Sequence, residues 1–410
     1  MNVLVINSGS SSVKFRLYAM AGEALLVSGE VERIGEDGGL GVYREHTDVG
    51  GVVTQKRARF FADHRAALEQ ICAFLEQYCV DDLIDPLGAS LHAIGHRVVH
   101  GGDAFQAPVL IGADVIQGIR AMIPLAPLHN PASLAGIDAL RNLFPQVPQV
   151  AVFDTAFFQF LPPHAYRYAV PNELYKDHHV RRYGFHGSSH QFVAREAADY
   201  LARPLETLRL ITLHLGNGAS ASAILNGVCI DTSMGMTALE GLIMGTRCGD
   251  IDPALHFFLA RTLGMDLNAI ETLLNHDSGL KGLCGASDMR EVRRLAAAGD
   301  EQAGLAIAMY CYRISKYVGA YTVALGGLDA LVFTGGVGEN DMLTRATVCE
   351  RLSVLDIFLD DQRNQRAING VLEISEHNRR VKVLVVPTNE ELEIARQTQS
   401  VINRFNAKIC

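Results

Sequence analysis

Three Gly-rich turns, each following an apolar run of strand-like composition, are candidate anion sites: Asn7 to Lys14, His214 to Ser220, and Thr334-Gly-Gly-Val-Gly-Glu-Asn340. Without a Cβ in the way, backbone N–H groups approach an anion closely, and flanking Ser hydroxyls complete a phosphate cradle. One such turn alone is more often only a turn, but three in one chain favour phosphate binding. The common nucleotide fingerprints do not account for them. No Lys directly follows a Gly, so there is no Walker A loop. Gly216-Asn-Gly218-Ala-Ser-Ala221 fits a relaxed G-x-G-x-x-A, yet the alternation after it predicts a strand where a dinucleotide fold needs a helix.

Gly95-His-Arg97-Val-Val-His-Gly-Gly102 and Met244-Gly-Thr-Arg247-Cys-Gly-Asp250 each set an Arg among glycines. A planar guanidinium suits bidentate contact with carboxylate or phosphoryl oxygens, although an isolated Arg more often makes a surface ion pair. His96/His100 and His186/His190 have the i, i+4 spacing of zinc ligands. The zinc reading fails at His96-Arg-Val-Val-His100, which lacks the Glu of H-E-x-x-H and sets Arg97 beside the metal. His100 and His190 are expected to be hydrogen-bonded structural residues. His186, between Phe185 and Gly187, is the better donor to a developing charge. Asp154 ends the run Gln149-Val-Ala-Val-Phe, at the carboxyl end of an expected strand. There it can hold a basic group, ligate Mg²⁺, act as a base, or cap the next segment. No Gly-x-Ser-x-Gly elbow points to an acyl-serine enzyme.

The elements that must position these groups follow from length and pattern. A chain of 410 residues, 49% hydrophobic and 20% charged, has the size of two or three domains and an ordinary globular composition. Thirty-six basic against 45 acidic residues, a net charge of -9, argue against nucleic-acid or anionic-membrane binding, so an anionic substrate needs a locally basic cleft. Eight Cys without a Cys-x-x-Cys pair read as reduced thiols. With no signal-peptide pattern and no apolar stretch near the roughly 18 residues of a membrane span, the cytoplasm is the expected location.

Short β-branched runs alternate with helical spacing, the pattern of an α/β fold. Val3 to Tyr18 and Leu210 to Leu225 each read as strand, small-residue turn, strand, with Leu25 to Val31 and Val228 to Asp231 as third strands. A duplicated domain is expected, with a cleft between its halves and a boundary near Asp154. Helices are predicted over Asp63 to Tyr78, Pro131 to Leu143, Asp252 to Leu263 and Asp300 to Leu325, the last with Leu305, Ala308, Met309 and Tyr312 on one face. Thr388-Asn389-Glu390-Glu391 has the form of a capping box after the strand Val381 to Val386, which sets Glu390 on a first helical turn where open α/β sheets hold ligands.

Val5-Ile-Asn-Ser-Gly-Ser-Ser-Ser-Val-Lys14 and Ile94-Gly-His-Arg-Val-Val-His-Gly-Gly102 resemble the two signatures of the acetate kinase family. The likeness runs the length of the chain through Pro127-Leu-His-Asn130, Val152-Phe-Asp-Thr155, Arg182 to His190, His214-Leu-Gly-Asn-Gly218, Gly245-Thr-Arg247, Ser287-Asp-Met-Arg290, Gly335 to Asn340 and Pro387-Thr-Asn-Glu390. It implies two duplicated ribonuclease-H-like (actin-like ATPase) domains with an interdomain active-site cleft. They divide as 1–154 plus 391–410, the last helix returning, and a nucleotide-binding domain over 155–390. It also implies a homodimer that uses ATP with Mg²⁺, Mn²⁺ being able to substitute.

Carried over, the resemblance puts Asn7 and Glu390 at the metal. Around ATP it puts Lys14, His214, Leu215, Gly216, Asn217, Gly218, Asp288, Met289, Arg290, Gly336, Val337, Gly338, Glu339 and Asn340. Arg97 falls at the acyl substrate, and Val99, Leu128 and Phe185 at the wall of its methyl pocket. Asp154 is implied as the catalytic acidic residue, with His186 and Arg247 stabilising the transition state. The activity implied is reversible transfer of the ATP γ-phosphoryl group to acetate. Because a carboxylate is already ionised, Asp154 is expected to orient cationic groups or metal rather than remove a proton. One departure bears on selectivity: Thr237-Ala238-Leu-Glu-Gly241 stands where the family usually has Thr-Pro-Leu-Glu-Gly, which keeps propionate or a broader range of short acyl chains as the alternative.

Overall fold

The β-branched runs form two sheets in a computed structural model that describes residues 1–9, 11–46, 51–81, 91–127 and 129–409. Leu128, Ser10 and Cys410 lie outside the described residues. The chain divides into two compact units, Met1–Phe157 with Asn389–Cys410, and Phe158–Thr388, so Glu390 belongs to the first.

In the first unit, β1 (Asn2–Ser8), β2 (Ser12–Ala19), β3 (Ala24–Glu32), β4 (Leu40–His46), β5 (Val52–Ala58), β6 (Ala93–Val98), β7 (Val109–Leu110) and β8 (Gln149–Phe153) form one sheet, in the order β5-β4-β3-β2-β1-β6-β8-β7. Strands β1, β6 and β8 are parallel, and the β1–β2 hairpin pairs Asn7 with Lys14. On one face the helices His64–Asp81 and Asn130–Leu143 bury Leu68, Ile71, Leu75 and Leu140 against Leu4, Ile6, Phe15 and Ile94. On the other, the last helix, Glu390–Ile409, buries Ile394, Ala395 and Ile402 against Val3, Val5 and Val152. Gly95 lets this helix come close, since a Cβ there would collide with Thr398 Oγ1 and sit 3.1 Å from Ile394 Cγ2. That contact sets the height at which Glu390 stands over the sheet.

The second unit repeats the arrangement. Strands β9 (Arg209–Leu215), β10 (Ala219–Leu225), β11 (Val228–Thr232), β12 (Ala330–Thr334), β13 (Leu372–Glu373) and β14 (Lys382–Val385) lie in the order β11-β10-β9-β12-β14-β13. β9, β12 and β14 are parallel, and β9–β10–β11 is an antiparallel meander. The duplication expected from the two hairpins is thus present strand for strand: β3-β2-β1-β6-β8 matches β11-β10-β9-β12-β14. Eight and six strands ordered this way, with helices on the sheets, make the duplicated α/β fold.

Two local expectations need correction, and a third is completed. The helix predicted over Asp300 to Leu325 runs Glu301–Ala324, and Leu305, Ala308, Met309 and Tyr312 do share one face, which is the exposed one, while Ala306, Ile307, Tyr310 and Ile314 are buried. The helix is apolar on more than one side, so periodicity alone did not select the inner face. The Gly-rich segment after β12, expected as a turn, is a short helix, Gly335–Asn340. The last helix is capped by Asn389, whose Oδ1 accepts from Leu392 N at 3.1 Å and from Arg16 and Tyr18, whereas the Thr388 hydroxyl lies 2.8 Å from Ser189 Oγ. Asn is a better N-cap than Thr, and here Asn389 has the first-turn N–H as its partner.

Candidate active site

The first unit's candidates gather at the carboxyl ends of its parallel strands. Register sets them there: Ile6 pairs with His96 and Val98 with Phe153, so Asn7, Arg97 and Asp154 reach the same edge. Arg97 donates from Nε to both Asp154 oxygens, at 3.1 and 3.2 Å, and from Nη2 to Oδ2 at 2.7 Å. Its Nη1 lies 3.5 Å from Asn7 Oδ1 and 3.7 Å from Glu390 Oε2. Asp154 is 1% exposed, and its N–H donates to Val98 O. Burial opposes the Arg97 charge, but Asp154 and then Glu390 outweigh it and raise the guanidinium pKa. Burial pushes Glu390 above the usual carboxylate range, against the pull of Arg97. Asn7 Oδ1 and the Glu390 carboxylate, both near Arg97 Nη1, are hard oxygen donors of the kind that suits Mg²⁺. Lys14, opposite Asn7 on β2, is half-exposed and 3.9 Å from Glu30.

The nearby histidines have other work. His96 is buried, lies 2.8 Å from Gln149 Oε1, and is pushed by burial down to about 4. His100 is buried and accepts at Nδ1 from Gly102 N, while Asn130 ties its backbone. Among the described residues no group of three or more His, Cys, Asp and Glu is arranged to hold a metal ion. Val99 is half-buried just after β6.

In the second unit the β9–β10 turn and the helix Gly335–Asn340 stand side by side. Thr334 pairs with His214, and a Cβ on Gly335 (φ 77°) would come within 2.9 Å of Leu215 O, so the short helix starts against the end of β9. Gly336 faces open space. Glu339 turns the other way: its Oε1 accepts from Gly335 N at 2.9 Å and Thr388 N at 3.0 Å, tying the ends of β12 and β14 together. Arg345 donates to the carbonyls of Gly338 and Glu339 at 2.9 and 2.7 Å. Asp288 caps the helix Met289–Ala297, accepting from Arg290 N, and the Arg290 side chain holds its carboxyl down at about 2.

His186 sits in the left-handed region (φ 61°, ψ 30°) immediately before the helix Gly187–Tyr200, a strained backbone for a residue with a Cβ. Its ring stacks on His214 with centroids 4.3 Å apart. A Cβ built on Gly218 would lie 3.3 Å from His186 Nε2 and 3.6 Å from Arg247 Nη1, so both groups converge over this glycine. Arg247 is half-buried; its Nη1 donates to Ala238 O at 3.2 Å, and among the described residues no carboxylate pairs with it. Burial alone acts on it, and lowers its pKa. A guanidinium held out of water without a counter-ion is a place where an anion gains and the protein alone does not.

The loop that carries Ala238 and Arg247 is fixed from outside. Glu240 takes Arg182 Nη2 at 2.6 Å and Tyr168 OH, and Asp250 takes Gly241 N and Tyr317 OH at 2.8 Å each. Phe185, beside His186, is buried at 3% exposure. Sequence reasoning did not single out Glu240, Arg182, Thr212 or Ser189, whose hydroxyl lies 2.8 Å from His214 Nδ1. Thr212 shows in the sequence only as a polar residue inside an apolar run, while Arg182, Ser189 and Glu240 lie within the motif segments without a local signal of their partners.

A family model described as the Acetokinase family matches residues 2–396. The acetate kinase of Syntrophobacter fumaroxidans is 50% identical over 404 residues, 98% of each chain. That of Thermotoga maritima is 49% identical over 412 residues, with 99% of this chain and 100% of that one covered. Among solved structures, Porphyromonas gingivalis acetate kinase is 44% identical with a TM-score of 0.87, and a propionate kinase from Francisella tularensis is 42% identical with a TM-score of 0.89. Each covers 98% of this chain and 99% of its own.

Proposed function

The chain belongs to the acetokinase family, and from that premise we propose that it is an ATP:acetate phosphotransferase. A carboxylate oxygen of acetate attacks the γ-phosphorus of ATP, the new O–P bond forms as the bond to the β-phosphate oxygen breaks, and acetyl phosphate and ADP result. No proton needs to move, so positioning and charge stabilisation supply the catalysis. The observation that carries this reading is Arg247, half-buried without a carboxylate partner and converging with His186 over Gly218. These donors suit the equatorial oxygens of a transferring phosphoryl group. Arg97, braced by Asp154, receives the acyl carboxylate; the bidentate pair supports an orienting role for Asp154. Asn7 and Glu390 would hold Mg²⁺, which neutralises phosphate charge. To the nucleotide the proposal assigns Lys14, the His214–Gly218 turn, Asp288–Arg290 and Gly336–Asn340, as the family resemblance implies. Acetate, ATP and hydroxylamine should therefore yield acetohydroxamate with stoichiometric ADP; ATP hydrolysis without hydroxamate would defeat the reading.

Glu390→Ala is expected to raise the Mg²⁺ concentration for half-maximal activity at least tenfold, read by titration at fixed ATP. The wild type has a matching pH signature. Because Glu390 titrates above the ordinary value of 4.5, its carboxylate protonates early as pH falls, and apparent Mg²⁺ affinity should weaken before ordinary carboxylates titrate. A metal requirement unchanged in the variant would remove Glu390 from the metal.

Ala238 favours a second reading, in which propionate is also a good substrate. Exchanging a Pro ring for a methyl group removes two ring carbons from the implied methyl wall. No hydrogen bond by the Ala238 N–H is found among the described residues, so Pro fits without loss of a backbone bond. One methylene in an apolar pocket is worth about 1 to 3 kcal/mol. Ala238→Pro should shift the acetate-to-propionate ratio of kcat/KM by roughly tenfold towards acetate. Equal ratios in both proteins would make the substitution neutral.

The same proposal includes a homodimer in the cytoplasm, with acetate and ATP or ADP as partners. The exposed apolar row Leu305, Met309 and Tyr312 supports self-association, and sedimentation equilibrium would test it. Cys72, Cys229, Cys248, Cys284, Cys311 and Cys349 are free thiols, in keeping with a reducing compartment. No helix among the described residues is long and apolar enough to cross a membrane.

A further inference from the structure

Behind His186 runs a chain of buried polar groups that the proposed reaction leaves unused. Thr212 Oγ1 lies 2.7 Å from His190 Nδ1, His190 Nε2 lies 2.7 Å from Ser220 Oγ, and Ser220 Oγ lies 2.9 Å from His186 Nδ1. Thr212, His190 and Ser220 are all 0% exposed. Thr212 on β9 and Ser220 on β10 belong to one antiparallel pair, and His190 lies one helical turn beyond His186 on Gly187–Tyr200. The relay therefore rests on a sheet and a helix rather than on a mobile loop.

If Ser220 donates as well as accepts, the protons in this chain run in one of two directions; a Ser220 that accepted from both rings would leave its own hydrogen buried without an acceptor, since among the described residues its hydroxyl has no partner other than the two imidazoles. A hydroxyl has one hydrogen to donate, and a neutral imidazole has one N–H and one lone pair. In one direction Thr212 donates to His190 Nδ1, His190 Nε2–H donates to Ser220, and Ser220 donates to His186 Nδ1, so the His186 proton sits on Nε2. In the other, every bond reverses, the His186 proton sits on Nδ1, and Nε2 presents a lone pair.

The far end decides between them. Among the described residues the Thr212 hydroxyl has no partner other than His190 Nδ1. If it accepted, its own hydrogen would be buried without an acceptor, a cost the first direction avoids. His190 is held neutral, since burial foremost and then His214 push its pKa well down.

We infer that Thr212, His190 and Ser220 are positioning residues that fix the tautomer of His186 with its proton on Nε2, the atom that lies over Gly218 near Arg247. The inference deepens the reading of His186 as a donor to the phosphoryl group and rests on that reading for its catalytic consequence. A neutral His186 held in the opposite tautomer would turn a lone pair towards the phosphoryl oxygens and repel them. The relay thus makes an imidazole a dedicated donor without requiring it to be charged.

The test is ¹⁵N NMR of the full-length protein labelled at histidine, at pH 8, where an ordinary imidazole is neutral. His186→Gln and His190→Gln spectra assign the two rings. In the wild type, His186 should show a protonated, pyrrole-type Nε2 and an unprotonated, pyridine-type Nδ1. Thr212→Val keeps the shape but removes the polarity-setting donor, and should give His186 a mixture of tautomers. Thr212→Ser, which keeps the hydroxyl, should restore the wild-type pattern. In Thr212→Val, kcat should fall about tenfold with KM for acetate and ATP within twofold, less than the 100- to 1,000-fold expected from losing a donor outright.

A wild-type His186 protonated on Nδ1, or an unchanged tautomer in Thr212→Val, would overturn the inference. Should that variant fail to fold, the wild-type spectrum and Ser220→Ala decide in the same way. Failure of the phosphotransferase reading is seen separately, as absence of hydroxamate from the wild type with the tautomer still measurable.

Discussion

Arg247→Ala is expected to lower turnover by about 100- to 1,000-fold, the usual cost of removing one preorganised donor from a developing charge. The structure narrows where the loss should fall. Arg247 is held by Ala238 O and by packing, not by a carboxylate, so removing it strands no counter-charge and the fold should survive. The loss should fall on kcat more than on KM for either substrate, because a donor matched to the equatorial oxygens acts most when their charge is greatest. Acyl-hydroxamate kinetics and a circular dichroism spectrum of the same preparation make the measurement. Turnover within about threefold of wild type in a folded variant would remove Arg247 from the reaction.

Arg97→Ala should lose as much turnover and, unlike Arg247→Ala, should also lose stability. Its partner Asp154 is 1% exposed and takes three of its contacts from Arg97. Breaking a buried pair from one side typically costs about 3 to 5 kcal/mol, because the remaining charge stays desolvated. The partly exposed Arg97 side chain argues for the lower end of that range. Arg97→Met with Asp154→Asn removes both charges, so the double variant should recover most of the stability and none of the activity. Urea midpoints for Arg97→Met, Asp154→Asn and the double variant close the cycle. A single variant as stable as wild type would show that Asp154 is held by something other than Arg97.

The two kinds of Arg were not distinguishable from the sequence. Both Arg97 and Arg247 were flanked by Gly, and nothing local says that one has a carboxylate and the other has none. The Arg97–Asp154 pair depends on the parallel register of β6 and β8, strands separated in sequence by β7 and the helices Ala113–Ala121 and Asn130–Leu143. The duplicated hairpins were legible because alternation and small-residue turns are local signals, and they fix β1–β2 and β9–β10 without knowledge of neighbours. The Glu301–Ala324 helix was legible as a helix but not in orientation, because apolar residues surround much of it. Ser220 and Thr212 were visible only as hydroxyls in buried strands. Their meaning comes from His190, which reaches them from a helix.

The contrast between the two arginines also bears on how such a chain would decay. Were selection for catalysis lifted, random substitution would still be filtered by folding. Arg97 and Asp154 would be retained for a time, because changing either alone exposes the fold to an unpaired charge. Arg247 has no such protection: many replacements relieve a buried charge, so drift would erase it early. In a silent descendant that still folds, the missing arginine in the Gly-Thr-Arg segment would therefore be an earlier mark of lost activity than any change at the acidic partner of the other one.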